Sequence, residues 1–417
     1  MKISDSIKNI IRSVVILGWL IFLFLISISF YNQINLLMVL FLLYTFIVII
    51  CFRSKITFNL EFVLLLAFGT AYFFTYVRYN DYSRWTHVKY FLGAPGMYFI
   101  GKAIITEKTM KYFKAAILVI VFGLFLYAFT AIIPALIANS FQDLSVVNDF
   151  WDGFLIGSTT ISIYYTGIGA LIVYNIFHLN SKKGLLVRIL HIVALGLSIY
   201  FAIIMARRTF FIISAIVLIL MLLAELVLSK KKAIKPLIVT VVLLAIIVIV
   251  IRYDIFDIKT FIVSSRWYVR YLRTLEIGLL NDPRFQVYGL VRGHLFTYPF
   301  GGYQMDIGNL PYAHNLWLDV LYAVGYYSFF PLVAFSLLSF TTLIRLLLHK
   351  HISNDIKILV ASLFIAYNLH FMVEPIIEGY AYPFFQFILI NGMTYQYLLI
   401  ANRIIPSRDF SQMLKIA

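Results

Sequence analysis

Long, nearly continuous apolar runs dominate this 417-residue sequence and restrict its fold more than any other feature. Hydrophobic residues make up 62% of the chain and charged residues only 12%, whereas about a quarter of an average soluble chain is charged. So few charges cannot cover a water-exposed surface, and we therefore expect the runs to meet lipid. Backbone groups in lipid must hydrogen-bond internally, and the runs do not alternate, so the sequence predicts spanning helices rather than a barrel.

The spacing of the runs predicts an all-α, polytopic membrane protein of about twelve transmembrane helices. We divide it into residues 1–251 with nine spans, a long polar loop at 252–313 carrying short helices, and residues 314–417 with three more spans and a short tail. Pro95-Gly96 should kink or interrupt the fourth span. The predicted spans are approximately 13–31, 36–52, 58–77, 90–105, 115–137, 158–177, 185–205, 209–228, 236–251, a span within 315–347, 358–373 and 382–400.

The distribution of lysine and arginine predicts how the chain is oriented. Basic residues cluster in alternate links, as in Lys230-Lys231-Lys232, which favours cytoplasmic termini and an external 252–313 loop in the cytoplasmic (inner) membrane. The net charge of +16 therefore marks topology and does not indicate a nucleic-acid partner. The first run follows Lys2, Lys8 and Arg12 without a small-residue cleavage site, which predicts a transmembrane helix rather than a signal peptide.

The external loop breaks this charge rule, because it is rich in basic residues. Three of its arginines also repeat at helical spacing. Arg266, Arg270 and Arg273 stand at i, i+4 and i+7, so they share one face if Ser264 or Ser265 caps a helix. Each guanidinium fork can donate two parallel hydrogen bonds, which suits a pyrophosphate. The alternative is a solvated basic face that pairs with lipid headgroups or acidic side chains.

The end of the loop carries a recognisable pattern: His314-Asn315, a nine-residue spacer and Gly325. This segment resembles the signature of the O-antigen ligase and O-antigen polymerase superfamily, from which Ser328 is a mild departure. The superfamily also tends to have an arginine at the start of the loop helix, matched by Arg266. It often has a serine-arginine motif where two spans meet outside. Arg208 matches that arginine, with Arg207 in place of the serine.

The resemblance implies a GT-C-like architecture and a metal-independent, inverting glycosyltransferase without a cofactor. Its donor would be an undecaprenyl-pyrophosphate-linked oligosaccharide, with the pyrophosphate as leaving group and arginines neutralising its charge. The catalytic residues would be His314, as base toward an acceptor hydroxyl, with Arg208 and Arg266. The substrate-binding residues would be Arg207, Arg270, Arg273, Asn315 and Glu374. Asn315 would orient the substrate or cap the next helix.

His370 and Glu374 lie one turn apart near the outer end of the eleventh span. The pair could bind a metal or position an acceptor, but a structural hydrogen bond is the interpretation we favour. The sequence shows no phosphate-cradling glycine loop, Asp-x-Asp motif or cytoplasmic domain, which favours a lipid-linked donor over a nucleotide sugar. We therefore predict no metal at the site.

Three functions remain open at this stage. The first, which we favour, is a polymerase that joins repeat units of O-antigen, capsule or exopolysaccharide, with a chain-length regulator as a further partner. The second is a ligase that transfers the glycan to lipid A-core in lipopolysaccharide synthesis. The third is a flippase for lipid-linked oligosaccharide, which the absence of mid-span charges and of internal repeats disfavours.

Overall fold

The protein is almost entirely helical, as the apolar runs predict. The computed structural model describes residues 5–30, 33–52, 57–78, 88–137, 146–148, 150–151, 153, 155–177, 185–205, 207–228, 230–278, 281, 283–294, 296–308, 312–379 and 381–413. The described part contains two short strands, β1 (Val146–Asn148) and β2 (Leu155–Gly157), paired antiparallel with Val147 opposite Ile156. This ribbon lies between the fifth and sixth predicted spans, 115–137 and 158–177, where the sequence analysis predicts no strand.

The helices follow the predicted spans closely, and additional short helices occupy the long loop. They are α1 (Asp5–Ser27), α2 (Ile34–Phe52), α3 (Leu60–Arg78), α4 (Val88–Ile104), α5 (Phe113–Ile137), α6 (Ser158–Phe177), α7 (Leu185–Ile204), α8 (Arg208–Leu228), α9 (Lys230–Arg252), α10 (Ile258–Ser264), α11 (Arg266–Ile277), α12 (Pro283–Gly293), α13 (Leu316–Val324), α14 (Tyr326–Leu348), α15 (Asn354–Phe371), α16 (Ile376–Gly379) and α17 (Tyr382–Met413). Helix α4 runs through Pro95, while the predicted tenth span is divided into α13 and α14.

Seven helices in the described part are long and apolar enough to cross a bilayer, which indicates a multi-pass membrane protein. They are α1, α2, α5, α8, α9, α14 and α17. The other five predicted spans correspond to helices α3, α4, α6, α7 and α15. The total of twelve spans therefore stays a prediction, whereas the chain is established as an all-α membrane protein.

Hydroxyl side chains within these helices bond back to their own backbone. Ser27 Oγ donates to the Leu23 carbonyl at 2.7 Å, and Thr45 Oγ1 donates to the Phe41 carbonyl at the same distance. A polar group without a partner in hydrocarbon would cost several kcal/mol. The i−4 carbonyl supplies a partner within the same helix, so isolated serines and threonines are compatible with spans.

The chain divides into two compact units: residues 1–123, 288–353 and 375–417, and residues 124–287 and 354–374. In the first unit, α4 packs closely against α17. A Cβ atom at Gly101 would overlap the Leu389 carbonyl oxygen, and one at Gly392 would overlap the Tyr98 carbonyl oxygen. Two glycines thus allow the backbones to approach, as is common between membrane helices.

In the second unit, α6, α8 and α15 pack together, and the loop helices α10 and α11 attach to α7 and α8 through aromatic rings. Tyr200 on α7 stacks on Phe261 of α10 with ring centroids 5.8 Å apart. Phe211 on α8 meets Trp267 of α11 edge-on at 5.6 Å, and Trp267 stacks on Tyr271. These contacts hold the arginine-bearing helix α11 beside the α7–α8 junction.

Candidate functional site

Helix α11 has the form that its sequence predicts. Ser265 is the N-cap, and its hydroxyl oxygen accepts a hydrogen bond from the Tyr268 backbone N–H at 3.3 Å. The helix continues through Arg266, Arg270 and Arg273, so the three arginines lie along one stripe, as the spacing predicts. Arg270 is half-buried, whereas Arg266 and Arg273 are exposed.

The Arg208 side chain, at the start of α8, is hydrogen-bonded to α11. Its Nη1 donates to the backbone carbonyl oxygen of Arg270 at 3.4 Å and also to the Thr274 hydroxyl. The Thr274 hydroxyl in turn donates to the Arg270 carbonyl at 2.9 Å. The guanidinium group predicted to be catalytic therefore makes structural contacts with the loop helix.

Arg207 occupies a different environment at the same junction. It lies between α7 and α8, and its backbone N–H donates to the Ala202 carbonyl at 2.8 Å. Burial lowers the pKa of its guanidinium group to about 10, against the raising effect of Glu374. The positive charges of Arg266, Arg270 and Arg284 lower this pKa further. Arg207 thus lies within a group of like charges and remains ionised at neutral pH.

Glu374 supplies a buried carboxylate to this group. Its side chain is 1% exposed, and its Oε1 lies 3.5 Å from Arg284 Nη1 and 3.3 Å from the Thr209 hydroxyl. Arg284 Nη1 also donates to the Val373 carbonyl at 2.9 Å. Burial raises the pKa of the Glu374 carboxyl, although Arg284 and Arg207 pull it down. The cost of removing the carboxylate from water therefore exceeds the attraction of its partners.

We call these residues the arginine–glutamate group: Arg207, Arg266, Arg270, Arg284 and Glu374. Glu374 acts on Arg284 and Arg207, and the charges of Arg266 and Arg270 also reach Arg207, so the group has four guanidinium groups for one carboxylate and keeps an excess of positive charge. Such an excess, in a partly desolvated position, suits a ligand with two or more negative charges. All five residues belong to the second compact unit.

His314 lies in the first unit, in a short, firmly held turn before α13. Its backbone has φ +53, a left-handed conformation that is uncommon for residues other than glycine. The Tyr288 hydroxyl donates to the His314 carbonyl at 3.0 Å. Before the histidine, the Ala313 N–H donates to Asp319 Oδ1 at 2.7 Å. The half-buried His314 is therefore fixed from both sides of the turn.

Asn315 caps α13, one of the two roles that the sequence analysis offered. Its side-chain oxygen accepts hydrogen bonds from the Trp317 and Leu318 backbone N–H groups at 3.2 and 3.1 Å. This cap sets where the helix begins, directly after His314. The His-Asn pair therefore joins a candidate reactive side chain to the residue that fixes its position.

Gly325 separates α13 from α14, and the geometry requires glycine there. Its φ is +76, and an added Cβ atom would overlap the Pro299 carbonyl oxygen. The loop segment beside it is hydrogen-bonded to this break, since the Tyr326 N–H donates to the Pro299 carbonyl at 2.9 Å and the Gly302 N–H donates to the Ala323 carbonyl at 2.8 Å. Gly325 thus lets the end of the 252–313 loop pack against the α13–α14 corner.

The sequence analysis missed one residue in each unit: Arg284 of the arginine–glutamate group and Tyr288 beside the His314 turn. Neither belongs to a spaced motif, and the only signal for Arg284 was that the external loop is rich in arginine. His370 contacts Glu374 through the backbone, because its carbonyl accepts from the Glu374 N–H at 3.0 Å. Among the described residues, no three His, Cys, Asp or Glu side chains gather where they could hold a metal ion.

Comparison with known proteins adds nothing to this geometry, because no family model matches the chain and no curated protein matches its sequence.

Proposed function

We propose that this protein is a glycosyltransferase acting at the outer face of the cytoplasmic membrane, where it polymerises undecaprenyl-pyrophosphate-linked repeat units of a surface polysaccharide. The arginine–glutamate group is the observation that carries the proposal. A pyrophosphate diester carries two negative charges, which matches the excess positive charge around Arg207. The resemblance of His314, Asn315 and Gly325 to the superfamily signature supplies the reaction class.

In the proposed reaction, an acceptor hydroxyl oxygen attacks the anomeric carbon of the lipid-linked glycan. The bond from that carbon to the pyrophosphate oxygen breaks, and undecaprenyl pyrophosphate leaves with the electron pair. His314 takes the hydroxyl proton, while the arginines stabilise the charge on the leaving group. Attack opposite the leaving group inverts the anomeric configuration.

The protein's own geometry supports these roles. The cap at Asn315 and the bond from Tyr288 hold the His314 turn in place before substrate arrives. A base fixed in this way loses little conformational freedom during the reaction. On the anion side, Glu374 keeps two guanidinium groups in position without neutralising the whole group.

Reconstitution provides the test of this proposal. Protein purified in detergent is mixed with undecaprenyl-pyrophosphate-linked repeat units, without nucleotide and with a chelator present. Glycans should lengthen by whole repeats, and undecaprenyl pyrophosphate should be released. A parallel reaction with lipid A-core as acceptor distinguishes polymerase from ligase, because a ligase would transfer the glycan to the core and form no longer lipid-linked chain.

Three variants assign the roles. His314→Ala should slow turnover about a hundred- to ten-thousandfold, the usual contribution of a general base, while donor binding is retained. Arg207→Lys keeps the charge but loses the bidentate fork, so donor binding and turnover should fall together. Arg292→Lys, on an exposed loop arginine, is the matched control and should behave as wild type.

Two outcomes would contradict the proposal. Translocation of the lipid-linked glycan across vesicles without any new glycosidic bond would indicate a flippase. Near-normal polymerisation by His314→Ala would remove the base from the mechanism, although the anion-binding role of the arginines would stand.

A further inference from the structure

A second polar site lies in the first compact unit, between the C-terminal end of α14 and the middle of α17. A pocket of about 330 Å³ opens there. Its polar lining consists of Thr342, Arg345, His349, Tyr395 and Asn402, and its apolar lining consists of Leu348, Leu398 and Leu399. None of these lining side chains, all within the described part of the chain, is acidic.

The polar side of the pocket is built from paired groups. His349 Nε2 lies 3.0 Å from Asn402 Oδ1, and His349 Nδ1 accepts the His351 backbone N–H at 3.3 Å. The first contact connects the end of α14 to α17, and the two together fix the imidazole ring. Thr342, only 2% exposed, forms a buried polar wall, and Arg345 supplies an exposed guanidinium group at the rim.

A buried cation, Lys102, lies behind the Tyr395 side of the pocket. Lys102 on α4 is only 3% exposed, and its Nζ lies 5.0 Å from the centre of the Tyr395 ring. Lys102 Nζ also donates to Asn59 Oδ1 at 3.1 Å, which holds it in place. Asn59 also bonds the buried Glu61 carboxylate, which offsets the charge of Lys102, so Arg345 is the cation that the pocket lining itself presents.

The pocket opens beside a helix face that is apolar and exposed. Leu337, Ile344 and Leu348 on α14 are 62%, 52% and 63% exposed, in a helix long and apolar enough to span a bilayer. The charge bias of the sequence predicts this end of α14 to be cytoplasmic, where anionic lipids attract basic side chains. A ligand in this pocket would therefore place its charge at Arg345 and its apolar part against the leucines.

We propose that this pocket binds the headgroup of an anionic phospholipid. Arg345 would donate a bidentate pair of hydrogen bonds to the phosphate, and the Thr342 and Tyr395 hydroxyls would bond the remaining headgroup oxygens. The acyl chains would continue along the exposed leucines of α14. This inference is independent of the glycosyltransferase proposal, because none of its residues belongs to the arginine–glutamate group or the His314 turn.

Binding of defined lipids to the full-length protein tests the inference. Protein in a neutral detergent is titrated with phosphatidylglycerol or with phosphatidylcholine, and bound lipid is counted by native mass spectrometry. Phosphatidylglycerol should bind in preference. Arg345→Ala and Asn402→Ala should each weaken its binding, the arginine variant by about tenfold for a lost charge-assisted pair. Arg403→Ala, on an exposed arginine outside the pocket lining, should bind as wild type.

Folding of each variant is checked before its lipid binding is compared with wild type. Monodisperse elution and an unchanged melting temperature without lipid show that the variants are folded. Equal binding of both lipids, or wild-type binding by both pocket variants, would overturn the inference. Displacement of phosphatidylglycerol by millimolar inorganic phosphate would also overturn it, because the pocket would then recognise free phosphate rather than a lipid.

Discussion

Arg207 and Arg208 are adjacent in the sequence but have different surroundings. Arg208 bonds to the backbone and side chains of α11, whereas Arg207 lies among the charges of Arg266, Arg270 and Glu374. The resemblance of the junction motif alone pointed to Arg208 as the functional arginine. Arg207 has the environment expected of an anion-binding residue, whereas Arg208 bonds to the loop helix α11 and holds it in place.

Glu374 leads to a prediction about pH and stability. Because burial raises its pKa, the folded state still holds a proton, in the pH range between the ordinary and the raised pKa, that the unfolded state has already lost. The stability associated with this group is present below the ordinary glutamate pKa of about 4.3 and is lost as the pH rises through the raised value. Glu374→Gln resembles the protonated form, so the variant should gain stability relative to wild type as the pH increases.

Melting temperatures of wild type and Glu374→Gln in detergent, measured from acidic to neutral pH, test this sign. Glu276→Gln, which removes an exposed carboxylate from α11, is the control. A variant that becomes less stable than wild type with rising pH would mean that attraction to Arg284 and Arg207 outweighs the cost of burial. Donor binding should weaken in Glu374→Gln in either case, because the guanidinium groups lose the carboxylate that positions them.

At the scale of elements, the local signals in the sequence were reliable. A serine before an arginine-rich amphipathic stretch predicted the Ser265 cap of α11, and Asn315 caps α13 as one of its two predicted roles. These features depend on neighbours within four residues, so the sequence contains all the information. The contacts of Arg284 with Val373 and Glu374 join segments distant in the chain, and no local pattern specifies such partners.

Gly325 provides the prediction at this scale. Alanine there must adopt φ +76 and must also displace the Pro299 carbonyl, so Gly325→Ala should destabilise the protein by at least about 1–3 kcal/mol. The matched control is Gly289→Ala in α12, where an added Cβ atom has open space. This control should be neutral or stabilising by up to about 1 kcal/mol, since alanine favours helix. Melting temperatures of the two purified variants make the comparison.

A further consequence of Gly325→Ala concerns the 252–313 loop. The loop segment at residues 298–303 is hydrogen-bonded to the α13–α14 corner, so strain at the corner should release it. Faster proteolysis within this segment is the expected sign. Equal melting temperatures and equal proteolysis of the two variants would show that the corner tolerates a side chain, and the structural reason for the signature glycine would fail.

At the scale of the whole molecule, composition alone predicted a helical membrane protein but not the packing of its helices. Helix α17 shows why, because its spanning part is largely buried and contains buried Gln386, Asn391 and Thr394. Asn391 donates to Ser339 of α14 at 2.7 Å, and Thr394 donates to the Ile390 carbonyl at 2.8 Å. Such polar residues lower the hydropathy of a span, and only the fold shows that protein rather than lipid surrounds them.

The orientation of the chain is the last prediction, and it decides where the proposed chemistry takes place. The lysine and arginine bias predicts that the link after α4 is cytoplasmic and that the 252–313 loop is external. Single cysteines at Glu107 and Gln304, both exposed, report on these two regions once Cys51 has been replaced by serine. An impermeant thiol reagent added to intact spheroplasts should label the Gln304 variant and leave the Glu107 variant unlabelled until the membrane is permeabilised. Labelling of Glu107 alone would place the arginine-bearing loop in the cytoplasm, where a lipid-linked glycan awaiting polymerisation outside would be out of reach. The same result would move the Arg345 pocket to the outer leaflet, so this one measurement bears on both proposals.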